Sequence, residues 1–445
     1  MSGVLGGGIG DKGLKLSLME TLRHAWADDD LRPRILFVIT MFAVYAFGVN
    51  VAVPIPGVST EAIVDKLKSI PMFQFLDVFG GGALKRLSIF ALGLNPYITA
   101  SIIMQILSAS IPSWKKELQE GGEYARRQQN RRIRLLTLIL CVVQATSLLS
   151  IIKTAVPITT GDIITVTVFW TAGAMFLLWV GEQITEKGIG NGISLMIFAG
   201  IIISLPTQTG AIIKQIQDGF AHWYQLVLLF LIFIAVTWII VLFTTAQRRI
   251  GIQHMRRQVG TRMMGGTSSY LPLSLNLAGV IPIIFAMSLA FMPLQFAAAF
   301  PADSWPHEAL QTVQKFLAPS FSSWEGVAAC FVYSALIFFF TYFYTAIQYN
   351  VEDMSNHLKR AGSFIPGVRP GKQTKDFLDG VISRITLVGA VFLAVVALLQ
   401  FLAPEITGLQ NVGYFFGTSL LIIVSVALET MRQMEASLLM KQYER

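Results

Sequence analysis

The chain has 445 residues, of which 54% are hydrophobic and 13% charged, with a net charge of +8. A soluble domain carries about 25% charged residues, so this composition excludes a single aqueous core and makes a bilayer the solvent. The positive balance does not by itself point to nucleic acid, because the placement of charge matters more than its sum.

Residues 1–34 read as a cytoplasmic segment, Gly-rich at Gly6–Gly10 and acidic at Asp28–Asp30, with no cleavable signal peptide. Ten uncharged runs follow, at Ile35–Val53, Leu87–Ile111, Leu135–Ile152, Ile163–Val180, Ile189–Leu205, Leu226–Phe243, Leu271–Phe300, Val327–Tyr349, Ile385–Pro404 and Val412–Leu428. At about 1.5 Å rise per residue, most can cross a hydrocarbon core of about 30 Å as helices. Leu271–Phe300 is longer than a span needs, and its tail past Pro293 is expected to leave the membrane. Residues 35–205 thus form a first half and 206–428 a second, with 429–445 as a cytoplasmic tail. With the N-terminus inside, the inner segments hold 25 Lys and Arg and the outer loops 7. That asymmetry places both termini in the cytoplasm.

Five helices per half require the second half to be inverted, and two pairs of segments agree. Gly93-Leu94-Asn95-Pro96-Tyr97-Ile98 in the second run parallels Gly279-Val280-Ile281-Pro282-Ile283-Ile284 in the seventh. Gly192-Ile193-Ser194-Leu195-Met196-Ile197 in the fifth parallels Gly417-Thr418-Ser419-Leu420-Leu421-Ile422 in the tenth. Pro96 and Pro282 remove a backbone donor and are expected to kink both helices midway. Ile98, Ile197, Ile284 and Ile422 lie beside these features. Facing one another they would make a narrow constriction that water avoids; ordinary helix packing is the alternative.

No run contains Asp, Glu, Lys or Arg, which weighs against an ion-coupled transporter. The polar groups left inside, Asn95, Gln144 and Asn276, can hydrogen-bond between helices. Cys141 and Cys330 sit in apolar runs and read as small buried hydrophobes. Before the second run, Met72–Leu84 is apolar but broken by Asp77 and three glycines, so it suits a re-entrant segment. Cations gather in two inner loops, about 244–270 (Arg248, Arg249, Arg256, Arg257, Arg262) and about 350–380 (Lys359, Arg360, Arg369, Lys372, Lys375). Both suit docking of ribosomal RNA or an acidic protein, with Pro366–Gly371 as a stiff turn holding Arg369 at its tip. No nucleotide-binding loop, nucleophile–base pair or metal-ligand spacing occurs, so neither enzyme chemistry nor a cofactor is expected.

Several segments resemble the bacterial SecY family in that family's order: Pro54–Gly57, Phe79–Leu84, the highly specific Gly181–Gly192 run, Ala278–Pro282 and Pro366–Gly371. The resemblance spans about residues 33–440. It implies an all-α membrane protein of ten transmembrane helices, two inverted five-helix repeats around a central hourglass pore. By position, the pore ring would be Leu94, Ile98, Ile193, Ile197, Ile284 and Ile422. The plug would fall at about 72–84, with Met72, Phe73, Phe75, Leu76, Phe79, Gly80, Gly81 and Gly82. Gln144 and Asn276 would be polar contacts of a lateral gate, and Arg256, Arg257, Arg262 and Arg369 would dock partners. The family implies SecE and SecG subunits, the SecA motor ATPase, the ribosome, unfolded clients and a bacterial plasma membrane. The expected function is passive conduction of unfolded polypeptide with lateral release of apolar segments into lipid. A small-molecule transporter with the same repeat is the competing reading.

Overall fold

A computed structural model describes residues 18–54, 77, 80–153, 159–219, 222–254, 257–259, 262–264, 268–297, 300, 304–321, 323–409 and 412–444. The Gly6–Gly10 stretch, plug candidates Met72, Phe73, Phe75, Leu76 and Phe79, and Arg256 lie outside these residues.

The first half contains α1 (Leu18–Ala27), α2 (Leu31–Val49), α3 (Asn95–Ser110), α4 (Pro112–Glu120), α5 (Gly122–Lys153), α6 (Thr160–Lys187) and α7 (Gly192–Gln217). The second contains α8 (Trp223–Thr245), α9 (Ile281–Ala297), α10 (Trp305–Leu317), α11 (Trp324–Gln348), α12 (Val351–Arg360), α13 (Lys372–Thr407) and α14 (Thr418–Glu444). Each of the ten predicted spans meets one helix, with α1, α4, α10 and α12 as short additions. Among the described residues, seven helices are long and apolar enough to cross a membrane: α2, α5, α6, α7, α8, α11 and α13. Of the other three, α3 and α9 are short, at 16 and 17 residues, and α14 carries Glu429, Arg432, Glu435 and Lys441 in its C-terminal extension.

The two short helices occupy the second place of each half, and their backbones agree. Gly93 and Gly279 adopt left-handed φ of 56° and 66°, and a helix with proline second begins two residues later. Pro96 and Pro282 therefore do not kink their helices midway; they start them. The first turn of a helix has no carbonyl partner for its N–H groups, so proline loses nothing there and its fixed φ suits the helix. The surplus of Leu271–Phe300 also lies at the opposite end from that expected. Leu271–Ser274 is strand, and the helix itself runs past Pro293 to Ala297.

The loop after α8 folds as β1 (Gln247–His254), β2 (Arg257–Val259), β3 (Arg262–Met264) and β4 (Ser268–Ser274). β1 pairs antiparallel with β4, from Gln247 opposite Ser274 to Gln253 opposite Ser268. The cause is a two-residue alternation: Ile250 and Ile252 point inward at 7% and 6% exposure, while Arg249 and Gln253 face out. β5 (Ser363–Phe364), from the second basic loop, adds to the other edge of β1, giving the order β4-β1-β5. Ile250, Leu273, Ile365, Leu378 and Ile382 form a core beneath the sheet. The membrane part is all-α as expected, but its two basic loops form one β-structured unit. Helix α7 also continues through Pro206 to Gln217, so the first half extends in one helix past residue 205.

Candidate conduction site

All six ring candidates belong to the largest apolar cluster among the described residues. Leu94, Ile98, Ile197 and Ile422 are buried in it, and Ile193 and Ile284 are partly buried against it. Each arrives by a defined local device. Leu94 caps α3, which carries Ile98 one turn further on. Ile193 and Ile197 depend on the Gly181–Gly192 run. Asn191 Oδ1 accepts from the N–H groups of Ile193 and Ser194 at 3.1 and 3.3 Å, starting α7. Thr185 then accepts the Gly192 N–H at 2.9 Å and donates to the Gly181 carbonyl at 3.0 Å, binding the start of α7 to α6. A side-chain carbon on Gly192 would fall 1.9 Å from the Gly181 carbonyl oxygen, so only glycine permits this crossing. In the second half Gly417 turns with φ 64°, and Thr418 donates to Gln400 Oε1 at 3.0 Å, setting the start of the helix that bears Ile422.

The halves meet where α9 packs on α3 and α5. Gln144 on α5 and Asn276 ahead of α9 are both buried, at 6% and 8% exposure. No hydrogen bond joins them among the described residues: the Asn276 amide nitrogen and oxygen are both buried without a partner. An orphaned amide of this kind favours any rearrangement that gives it water or another donor.

Of the plug candidates, Gly80, Gly81 and Gly82 are described. Gly81 and Gly82 hold left-handed φ of 71° and 82°, and Gly81 lies against the backbone of Gly200 on α7. Of the candidate docking cations, Arg257, Arg262 and Arg369 lie in the two loops that build the sheets. Arg257 and Arg262 occur on the outer hairpin, where Val259 is opposite Arg262. Arg369 is exposed on its turn, held by a Thr374 hydroxyl to the Arg369 carbonyl at 2.8 Å and a Ser355 hydroxyl to the Gly371 carbonyl at 3.0 Å. Arg249 lies over the Tyr270 ring at 4.7 Å, a cation–π contact across the strands.

Sequence reasoning assigned no role to the Asp-rich N-terminal segment. Lys441 at the end of α14 pairs with Asp28 at 2.7 Å and Asp30 at 2.5 Å. Ala25, Leu31, Ile189 and Met434 pack beside the pairs. The Lys441 ammonium holds the Asp28 carboxyl below its ordinary range, and the two aspartates raise Lys441. The acidic run was the visible signal; its partner lies at the far end of the chain.

A sequence profile of the SecY family matches residues 88–431. The chain belongs to the SecY family. It is 37% identical to protein translocase subunit SecY of Chlamydia trachomatis, across 96% of this chain and 97% of that relative. The subunit of the same name from Aquifex aeolicus is 38% identical, across 96% of this chain and 99% of its own. The fold is similar to a solved protein-conducting channel (TM-score 0.66, 18% identity, 90% and 91% covered). It is also similar to Sec61 in a canine ribosome–channel complex (TM-score 0.62, 18% identity, 90% and 91% covered). Like these SecY relatives, the protein is a multi-pass membrane channel subunit of a protein translocase, not an enzyme.

Proposed function

We propose that the six-residue apolar neck is the constriction through which unfolded polypeptide passes, and that the α3–α5–α9 contact opens sideways to release apolar helices into lipid. The observation carrying this reading is the convergence of Leu94, Ile98, Ile193, Ile197, Ile284 and Ile422, from four helices of two inverted halves, on one apolar cluster. A dry aliphatic neck passes no ions at rest yet gives way to an extended chain. Lateral release follows from transfer energetics: each Leu or Ile gains about 0.3–0.6 kcal/mol at a helix centre in lipid, and a charge there costs about 2.5–3.5 kcal/mol. The channel has only to let a segment sample both solvents.

The plug comprises the segment at about 72–84, and Gln144 and Asn276 tune the gate. Both termini and the sheet unit face the cytoplasm of a bacterial plasma membrane, in keeping with the basic inner loops. Arg256, Arg257, Arg262 and Arg369 receive the SecA motor or the ribosome, and SecE and SecG complete the complex. The decisive experiment reconstitutes the purified complex in liposomes with SecA and ATP and follows protease protection of an unfolded precursor. Protected precursor is the expected result; substrate-coupled uptake of a small solute instead would overturn the reading. Replacing Arg257, Arg262 and Arg369 by Glu is expected to weaken SecA and ribosome binding in a salt-dependent way, and affinity equal to the parent's at low salt would remove the docking assignment.

A further inference from the structure

Within the proposed plug segment, the connection entering α3 contains a buried carboxylate to which no role has been assigned. Asp77 is 3% exposed; its Oδ2 pairs with Lys85 Nζ at 2.9 Å and its Oδ1 accepts the Lys85 backbone N–H at 3.0 Å. The Asp77 carbonyl accepts from the Gly82 N–H at 2.7 Å. These three bonds tie Asp77 to Gly82 and Lys85, on the far side of the glycine turn Gly80–Gly82. That turn lies against the backbone of Gly200 and the side chain of Ile203. A side-chain carbon on Gly81 would stand 3.4 Å from the Gly200 carbonyl oxygen, and one on Gly93 would stand 3.5 Å from the Gly80 Cα. Gly200 follows Ile197 by three residues on α7, one helical turn, and Gly93 precedes Leu94. The turn therefore abuts the chain beside two neck residues, one on each of two helices.

We propose that the Asp77–Lys85 pair is a latch that holds the glycine turn against the neck and sets how often the resting channel leaks. The inference rests on the reading of the neck as the conduction path. Removing one partner of a buried pair is far more disruptive than removing both, because the survivor keeps an uncompensated charge out of water. The buried member is the carboxylate, and the Lys85 side chain is 36% exposed, so loss of the lysine leaves the carboxylate to draw water toward the turn.

The test is resting single-channel conductance of the purified translocase in planar bilayers. Lys85→Met is expected to raise resting open events at least tenfold. Lys85→Arg, which keeps the charge, is expected to match the parent and to show that the position tolerates change. The exchanged pair Asp77→Lys with Lys85→Asp is expected to leak less than Lys85→Met. A quiet Lys85→Met channel, or an exchanged pair as leaky as the single variant, overturns the latch. Ile284→Asn, recorded alongside, separates the two readings. If it leaks and Lys85→Met does not, the latch fails and the neck stands; if neither leaks, both fail.

Discussion

Replacing Asn276 with Leu tests the gate at its least satisfied point. The side chain is 8% exposed, and its amide nitrogen and oxygen are both buried without partners. A buried polar group left unpaired costs about 1–3 kcal/mol. Leucine has similar bulk and no polar atom, so it relieves that cost only in the closed state, where the amide has no access to water. The closed form should gain about 1–3 kcal/mol, a shift of about 5- to 150-fold in the closed-to-open ratio. At about 0.5 kcal/mol per leucine, that equals about two to six extra leucines in the segment that opens the gate. The assay is export of a reporter behind a graded series of signal segments. The least hydrophobic segment that still supports export should move upward by that many leucines. An unchanged or lowered threshold refutes the reasoning, because it would mean that the orphaned amide does not bear on the closed state.

Ile98→Asn should wet the neck and raise resting ion conductance, measured in planar bilayers; a parent-like leak removes Ile98 from the constriction. Gly173→Ala on α6 would place a carbon 1.9 Å from the backbone oxygen of Ile89, and overpacking of this kind costs about 1–3 kcal/mol, read as a lower thermal midpoint in detergent. Lys441→Glu would set a third carboxylate beside Asp28 and Asp30 and should expose α1 to protease, with Asp28→Lys in the same chain restoring protection. The pH dependence of this N-to-C contact follows from the directions of its shifts. The Asp28 contribution is present above its ordinary value of 3.8 and is lost as pH falls through the lower folded value. The Lys441 contribution is present below 10.5 and is lost as pH rises through the higher folded value. Protection of α1 should therefore be flat between pH 5 and 9 and should respond to salt.

The spans were legible because a bilayer demands about 20 apolar residues and permits few charges, so a run such as Leu226–Phe243 has one reading. The repeat was legible in the paired segments Gly93–Ile98 and Gly279–Ile284, where glycine precedes proline by the same three residues. The role of Pro96 was not, since proline has opposite meanings at a helix start and at its middle, and only the path of residues 80–94 distinguishes them. The strand Gln247–His254 escaped notice because its apolar alternation comprises just Ile250 and Ile252 among cations. The Lys441–Asp28 pair joins residues 413 positions apart, and the Asp77–Lys85 pair depends on a glycine turn that closes only in space. Asn276 was legible as a polar residue in an apolar run, but its lack of a partner is a property of packing.

The two basic loops share a sheet, and that sharing has mechanical weight. Strand β4 ends at Ser274, and α9 begins at Ile281, so few residues separate the basic hairpin from a helix of the proposed gate. On the other edge, β5 connects through the Arg369 turn to α13, which packs on α11 and touches α9. If a motor or ribosome docks on the hairpin as proposed, it holds a lever whose short arm is the proposed gate. Torque on the hairpin would then reach the membrane interior without any chemical signal passing between them.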